Sequence, residues 1–254
     1  MDYHIHSNLS FDGESTMIEM CKKAVDLNIR EIGFTDHMDF NPIDSGYGFF
    51  DYNRYSSEIE NVRAIFSDDL VIRKGIEIDY QKGYEDNVRM WLRDKKFDYT
   101  IGSVHYIDDE SLRSLLKKRT VEEVLDVYVV EVLHSIRSGL FTIIGHFTVD
   151  FIRYLVFGTG EGFDLLKSEE DVLREIIANK LYLEVNTKEL RKAYGEMLPS
   201  RRIIEQYVNY GGKLFSVGSD AHSTKDLGYG INYVLEFLKK QCRYSLIFEK
   251  QMRL

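Results

Sequence analysis

The chain has 254 residues, which fits one large domain or two small ones and is long enough to bury a substantial core. Hydrophobic residues make up 44% and charged residues 30%, as in ordinary soluble globular proteins. The net charge of −9 argues against a nucleic-acid partner, which favours a basic face, but it leaves room for a local basic pocket that binds a small anion.

The cysteines and the apolar segments indicate a cytoplasmic protein. Cys21 and Cys242 form no CxxC pair, which suits a reducing compartment and a packing role in helices. No apolar leader precedes the first predicted strand, and no window reaches the ~18 apolar residues of a membrane span. With only two prolines and no Gly/Ser-rich linker, we expect residues 1–254 to form a single domain.

Predicted strands and helices alternate along the whole chain. The predicted strands lie near 2–6, 32–35, 70–78, 99–104, 141–145, 181–185 and 214–217. The predicted helices lie near 16–27 (with Ser15 as the cap), 52–66, 84–94, 121–136 (ending at Gly139), 168–179, 200–210 and from 227 onward. Residues 39–51 and 150–167 are predicted to be irregular. Such alternation implies a parallel sheet with right-handed crossovers, and seven units favour a closed barrel over an open sheet.

Histidines and acids concentrate where the predicted strands end, and two histidines lie on the first strand. His4 and His6 are two residues apart, so they project from one face of that strand. In α/β barrels the carboxyl ends of the strands carry the active site. A lone strand-end histidine is more often structural, but this set is hard to explain by packing: His4, His6, Asp12, His37, Glu77, His105, His146, Asp220 and His222. Only His134 lies elsewhere, inside a helix.

This ligand set predicts a metal centre. Buried carboxylates are costly unless they meet a cation. Mixed imidazole and carboxylate ligands suit Zn, Fe or Mn, and nine ligands are too many for one ion, so two or three ions are expected. A close metal pair lowers the pKa of a shared water and clamps phosphoryl oxygens, which favours hydrolysis of a phosphate ester.

Six motifs in order resemble those of the PHP (polymerase and histidinol phosphatase) superfamily. They are Asp2-x-His4-x-His6-Ser7 with Asp12, Thr35-Asp36-His37, Gly75-Ile76-Glu77, Ser103-Val104-His105, Gly145-His146 and Ser219-Asp220-Ala221-His222. The resemblance covers residues 2 to about 230. It implies a distorted (β/α)7 barrel, similar to a TIM barrel, with a trinuclear site at the carboxyl ends of the strands.

The resemblance also implies a role for each ligand. The first ion would be held by His4, His6, Glu77 and Asp220. Glu77 would bridge to a second ion, held also by His105 and His146. The third ion would be held by Asp12, His37 and His222; some family members have histidine where Asp12 stands.

Within the superfamily, the segments after the fifth and sixth strands resemble the stand-alone histidinol-phosphate phosphatases. The stretch Glu184-Val185-Asn186-Thr187 followed by Leu190-Arg191-Lys192 carries this likeness, as does Arg153. It implies hydrolysis of L-histidinol phosphate in histidine biosynthesis by a metal-bridging hydroxide. Arg153 and Arg191 would hold the phosphate, since a guanidinium fork fits two oxygens. Asp220 or a metal-bound water would protonate the leaving alkoxide.

Substrate specificity is expected from segments 39–51 and 106–119, with Asp44 or Asp51 meeting the amine of the substrate. Other interpretations stay open: a tyrosine-phosphate or nucleotide phosphatase, a nuclease, or a metal-binding protein without catalysis. The aromatic end (Tyr233, Phe237, Tyr244, Phe248) is either a homodimer contact or a cap on the barrel, and the cap is favoured.

Overall fold

The computed structural model describes residues 1–160, 162–241 and 243–248. Its strands are β1 (Asp2–Ile5), β2 (Glu31–Phe34), β3 (His37–Met38), β4 (Val71–Lys74), β5 (Glu77–Asp79), β6 (Ile101–Ser103), β7 (Tyr106–Ile107), β8 (Glu110–Ser111), β9 (Ile143–Ile144), β10 (Tyr182–Asn186), β11 (Leu214–Gly218) and β12 (Ser245–Leu246). Its α-helices are α1 (Met17–Asp26), α2 (Tyr52–Ile65), α3 (Glu85–Leu92), α4 (Leu112–Leu115), α5 (Val121–Ser138), α6 (Val149–Phe157), α7 (Lys167–Ala178), α8 (Arg201–Asn209) and α9 (Ile231–Gln241).

Ten of the described strands form two parallel sheets, which confirms the predicted α/β class, and β7 and β8 form a separate antiparallel pair. One sheet has the order β1-β2-β4 and the other the order β12-β11-β10-β9-β6-β5-β3. The chain passes from the first sheet into the second at two places, because β3 closely follows β2 and β5 closely follows β4. Beyond the ends of β1 and β11, the amide of Asp220 donates to the carbonyl of His4 at 2.7 Å, and the amide of His6 donates to the carbonyl of Ala221 at 2.8 Å.

The backbones of β1 and β11 approach each other closely. A Cβ on Gly218, the last residue of β11, would lie 2.3 Å from the Cβ of His4. Only glycine therefore lets β11 run this close to β1. The arrangement brings the segment after β11 next to the segment after β1.

Most predicted helices are confirmed, and their ends follow ordinary capping chemistry. Thr16 rather than Ser15 caps α1, in a capping box with Glu19. Gly139 ends α5 with a φ of 67°, a left-handed conformation that glycine adopts without steric cost.

Two local predictions are wrong, and some elements were not predicted. Residues 149–157 form helix α6 instead of irregular chain, because the buried polar side chains of Asp150 and Arg153 interrupt the apolar pattern that marks a helix. The strand predicted over 70–78 is divided between β4 and β5 around Gly75 and Ile76. The β7–β8 hairpin and β12 were not predicted.

The peripheral predictions have mixed outcomes. Cys21 is buried on α1, whereas Cys242 lies outside the described residues. The ring of Phe248 packs against the rings of Tyr3 and Tyr99, as expected of a cap, while Tyr233 is 41% exposed. Within the described ranges, no helix combines the length and apolarity needed to cross a bilayer.

Candidate metal centre and phosphate site

Four buried acids hold the backbone beside predicted ligands. Each accepts an amide hydrogen bond: Asp2 from Ser219, Asp36 from Ser7, Asp79 from His105 and Glu184 from His146. Burial raises the pKa of Asp36 to about 6, and it also raises the pKa values of Asp2 and Asp79. Because these amides lie next to or within the ligand motifs, the acids fix the loops that carry the ligands.

The structure brings eight of the nine predicted ligands into three overlapping groups. In each group, one ligand atom per residue lies within 4.8 Å of the others. The groups are His4, His6 and Glu77; Glu77, His105 and His146; and His6, Asp12, His37 and His222. The ninth residue, Asp220, lies beside them, with Oδ1 3.5 Å from Nε2 of His6. His134 lies on α5, as predicted, outside these groups.

Glu77 is shared by two of the groups. Its Oε2 lies 3.0 Å from Nε2 of His4, and its Oε1 lies 3.1 Å from Nε2 of His146. Burial alone would raise the pKa of Glu77, but the adjacent imidazoles, led by His4 and His37, hold it well below its usual range. Glu77 therefore presents one carboxylate oxygen to each of two sets of imidazoles.

The imidazoles fall into two electrostatic classes. Burial lowers the pKa of His37 to about 3 and that of His105 to about 4. Burial would also lower the pKa of His6, but hydrogen bonds to Asp220 and Glu77 raise it to about 9. His37 and His105 are thus unprotonated near neutral pH, whereas His6 must release a proton before it can bind a cation.

The donor set fits divalent metal ions. Nε2 of His4 and Nε2 of His6 lie only 3.1 Å apart, and the same distance separates Nε2 of His105 from Nε2 of His146. The Nδ1 atoms of His6 and His37 are buried without a hydrogen-bond partner. Facing imidazole nitrogens interleaved with carboxylates are the arrangement that a shared cation would relieve.

Asp220 is held in a left-handed backbone conformation with a φ of 52°. Arg191 supports this turn, because its guanidinium donates to the carbonyls of Ser219 at 2.7 Å and Asp220 at 2.9 Å. Burial would raise the pKa of Asp220, but Lys188 and His4 hold it well below its usual range. The turn therefore presents an ionised carboxylate to the histidines.

Arg153 is held in a buried network of ion pairs. It is 3% exposed, and its guanidinium pairs with Asp150 on its own helix and with Glu169 on α7. Both ends of the fork are thus engaged by carboxylates. A phosphate contact by Arg153 stays a prediction, and it would require the side chain to leave this buried pair.

Two participants were missed by the sequence interpretation. A carboxylate oxygen of Glu184 lies 2.5 Å from Nδ1 of His4, and Nζ of Lys188 lies 3.0 Å from Oδ1 of Asp220. Glu184 could have been identified from the sequence, because it is an acid within an otherwise apolar predicted strand. Lys188 follows the end of β10, so the strand-end rule that selected the histidines also applied to it.

Two cavities adjoin the ligands. One, of about 270 Å³, is largely apolar, and its lining includes Tyr106, Leu112 and Phe151. The other, of about 250 Å³, is lined partly by Asp39 and Asp44. Both segments expected to set specificity, 39–51 and 106–119, thus reach the cavities.

The acids near the second cavity differ in environment. Burial, reinforced by Asp44, raises the pKa of Asp39 to about 8. Asp51 instead caps α2 by accepting from the amides of Asn53 and Arg54. Asp51 is outside the residues that line either cavity, so the structure does not support its expected contact with a substrate amine.

Comparison with known proteins decides the family. The PHP domain family matches residues 2–188. The chain belongs to the PHP domain family. This membership confirms the resemblance carried by the six motifs, and it applies to the part of the chain that contains seven of the nine predicted ligands, all except Asp220 and His222.

Curated relatives of this PHP protein are similar over nearly their whole length. The histidinol-phosphatase of Lactococcus lactis is 25% identical over 248 residues, covering 94% of this chain and 90% of that protein. The histidinol-phosphatase of Bacillus subtilis is 27% identical over 268 residues, covering 92% and 98%.

A solved structure has the same fold. It is the histidinol phosphate phosphatase of Lactococcus lactis in complex with zinc, L-histidinol and phosphate. The TM-score is 0.84 at 22% identity, and the match covers 97% of this chain and 94% of the other. The likeness places this PHP protein in the same overall fold.

Proposed function

We propose that this protein is a metal-dependent phosphomonoesterase that hydrolyses L-histidinol phosphate to L-histidinol and phosphate, as in histidine biosynthesis. The observation that carries the proposal is the set of three overlapping ligand groups joined through Glu77 and His6. It is supported by the curated histidinol-phosphatases that match this chain over more than nine-tenths of its length.

The proposal includes a single domain, residues 1–254, built as a distorted (β/α)7 barrel. Seven strand positions support it: β1, β2 continued by β3, β4 continued by β5, β6, β9, β10 and β11. The hydrogen bonds between the ends of β11 and β1 support closure of this ring. The metal ligands would then lie at the carboxyl ends of the strands.

We assign the nine predicted residues to two or three divalent ions of zinc, iron or manganese. His4, His6, Glu77 and Asp220 would hold one ion. Glu77 would reach a second with His105 and His146, and Asp12, His37 and His222 would hold a third. When bound, such ions lower the pKa of water to generate a nucleophile and neutralise charge on phosphoryl oxygens.

The residues of the chain orient and balance this chemistry. Glu184 holds His4 through Nδ1, which leaves Nε2 free to serve as a ligand. The low pKa of Asp220 suits a ligand and hydrogen-bond acceptor better than a proton donor. Arg191 positions the turn that carries Asp220. A direct phosphate contact by Arg191 remains a prediction.

Recognition of the alcohol would divide between the two cavities. The apolar cavity accepts the body of the substrate against Phe151 and Leu112. Asp39 and Asp44 line the second cavity. Asp44 offers a carboxylate to the ammonium group of histidinol phosphate, and Asp39, whose pKa burial raises to about 8, offers an acceptor oxygen. A substrate that combines a phosphate, an amine and a planar ring matches this division.

The test is phosphate release from L-histidinol phosphate after metal removal and restoration. The metal-stripped protein is expected to be inactive, and zinc, manganese or iron to restore turnover. Parallel assays use a phosphotyrosine peptide, a nucleoside monophosphate and DNA. Preferential turnover of one of these would replace the proposed substrate, and metal binding without any hydrolysis would support the non-catalytic alternative.

The remaining assignments follow from the same proposal. A small phosphorylated metabolite in histidine biosynthesis implies a cytoplasmic enzyme without a nucleic-acid or membrane partner. A homodimer stays an expectation that sedimentation of the purified protein would test.

A further inference from the structure

Lys188 lies where the two cavities meet. It begins the short 3₁₀ helix Lys188–Arg191 after β10, and its amide donates to the side chain of Asn186 at 2.9 Å. Lys188, His105 and Tyr106 are the residues common to the linings of both cavities. The Lys188 side chain is 30% exposed, so its ammonium group borders open space beside the metal-ligand groups.

The other cations near this region are engaged elsewhere. Arg153 pairs with two buried carboxylates, and Arg191 donates to two backbone carbonyls. Among the described residues that line the two cavities, the only other lysine or arginine is Arg113, whose guanidinium lies 6.0 Å from the ring centroid of Phe151. Lys188 is therefore the cation best placed beside the ligands.

Among the described residues, Lys188 forms its ion pair with one carboxylate oxygen, which other groups share. Its ion pair is with Oδ1 of Asp220 at 3.0 Å, and the same oxygen lies 3.5 Å from Nε2 of His6 and 3.4 Å from Nδ1 of His222. One carboxylate oxygen is thus shared by several positive or potentially positive groups. An ammonium group has three N–H donors, so Lys188 can keep its contact with Asp220 and also donate to a phosphate oxygen in the adjoining cavities.

We infer that Lys188 is a phosphate-binding residue, whose ammonium group contacts a non-bridging oxygen of the substrate phosphate and of the phosphate product. This inference rests on the proposed phosphomonoesterase function. It assigns to Lys188 the anchoring role that the sequence suggested for Arg153 and Arg191. An ammonium acts here as a point charge, so it does not require the planar geometry of a guanidinium fork.

The experiment measures binding of inorganic phosphate to the metal-loaded protein by titration calorimetry, together with metal content. Lys188→Met is expected to weaken phosphate binding by about 10- to 100-fold, because it removes a hydrogen bond to a charged group. Metal content is expected to stay at the wild-type level. Lys188→Arg keeps the charge and is expected to bind phosphate far better than Lys188→Met.

Lys192→Met is the matched control. Lys192 lies just after the same 3₁₀ helix, but its ammonium pairs with Glu189 at 2.9 Å and it lines neither cavity. It is expected to bind phosphate as the wild type does. Unchanged phosphate affinity in Lys188→Met overturns the inference. So does loss of metal in both Lys188 variants, which would show that Lys188 acts only by supporting Asp220.

Hydrolysis of p-nitrophenyl phosphate separates this inference from the proposed substrate. Inhibition of that reaction by phosphate is expected to weaken in Lys188→Met by the same factor as direct binding. If the wild type hydrolyses p-nitrophenyl phosphate but not L-histidinol phosphate, the proposed substrate is wrong, while the phosphate affinities still decide the role of Lys188.

Discussion

The carboxylate of Glu184 lies 2.5 Å from Nδ1 of His4, and its other oxygen accepts the backbone amide of His146 at 2.7 Å. One buried side chain thus positions members of two different ligand groups. A carboxylate on Nδ1 fixes the tautomer of the imidazole and increases the basicity of Nε2.

Replacing Glu184 is therefore expected to weaken metal binding without removing a ligand. Glu184→Gln should lower metal affinity by about 10- to 100-fold, measured by competition with a chromogenic chelator. Glu122→Gln, an exposed change on α5, is the control and should leave the affinity unchanged. Equal affinities for the wild type and Glu184→Gln would show that the contact with His4 has no influence on the metals.

Glu77 belongs to two ligand groups, whereas His222 belongs to one. Glu77→Gln is accordingly expected to lose more metal per chain than His222→Ala, because two groups lose their shared charged ligand. Elemental analysis of the purified variants measures the difference. If His222→Ala lost as much metal as Glu77→Gln, the assignment of Glu77 as a bridging residue would be wrong.

Asp39 and Asp44 are expected to recognise the ammonium group of the substrate. Asp44→Asn should raise KM for L-histidinol phosphate by about tenfold or more, since a hydrogen bond between charged groups is lost. Asp39→Asn should have a smaller effect, because burial raises the pKa of Asp39 to about 8 and keeps that acid largely protonated near neutral pH. KM for p-nitrophenyl phosphate, which has no amine, should not change. Asp51→Asn is the control: asparagine keeps an accepting oxygen at the cap of α2, and the change should affect neither KM. Equal effects on both substrates would argue against amine recognition.

Arg191 gives a prediction that distinguishes two roles. Loss of its hydrogen bonds to the carbonyls of Ser219 and Asp220 should lower the free energy of unfolding of Arg191→Ala by about 2–3 kcal/mol and reduce metal content. Urea denaturation and elemental analysis measure both effects. Arg137→Ala, on the surface of α5, is the control. Wild-type stability and metal content combined with a raised KM would instead favour direct phosphate binding by Arg191.

Metal binding is expected to release protons at neutral pH. The pKa of His6 is raised to about 9 in the metal-free protein, so its imidazole carries a proton that a cation must displace. Metal affinity should therefore increase with pH up to about 9, by about tenfold per pH unit for each proton released. Calorimetry in buffers of different ionisation enthalpy counts the protons. Buffer-independent heats would contradict the raised pKa, and His134→Gln should not alter the count.

The strand-end ligands could be predicted from sequence because their placement depends on local patterns. Short apolar runs alternate with amphipathic helices, and parallel strands bring their carboxyl ends to one edge. His105 and His146 each follow such a run, so their convergence follows from chain order and topology. The same regularity explains why the order of six short motifs was sufficient to indicate the PHP family.

The partners of the buried charges were decided only by the tertiary structure. Arg153 pairs with Glu169 from α7, and Lys188 reaches Asp220, which is 32 residues away. Local sequence carries no record of which opposite charge lies within hydrogen-bond reach, because that depends on how separate helices and strands pack. The sequence therefore predicted which residues form the candidate ligand groups, whereas packing decided which cation lies beside them.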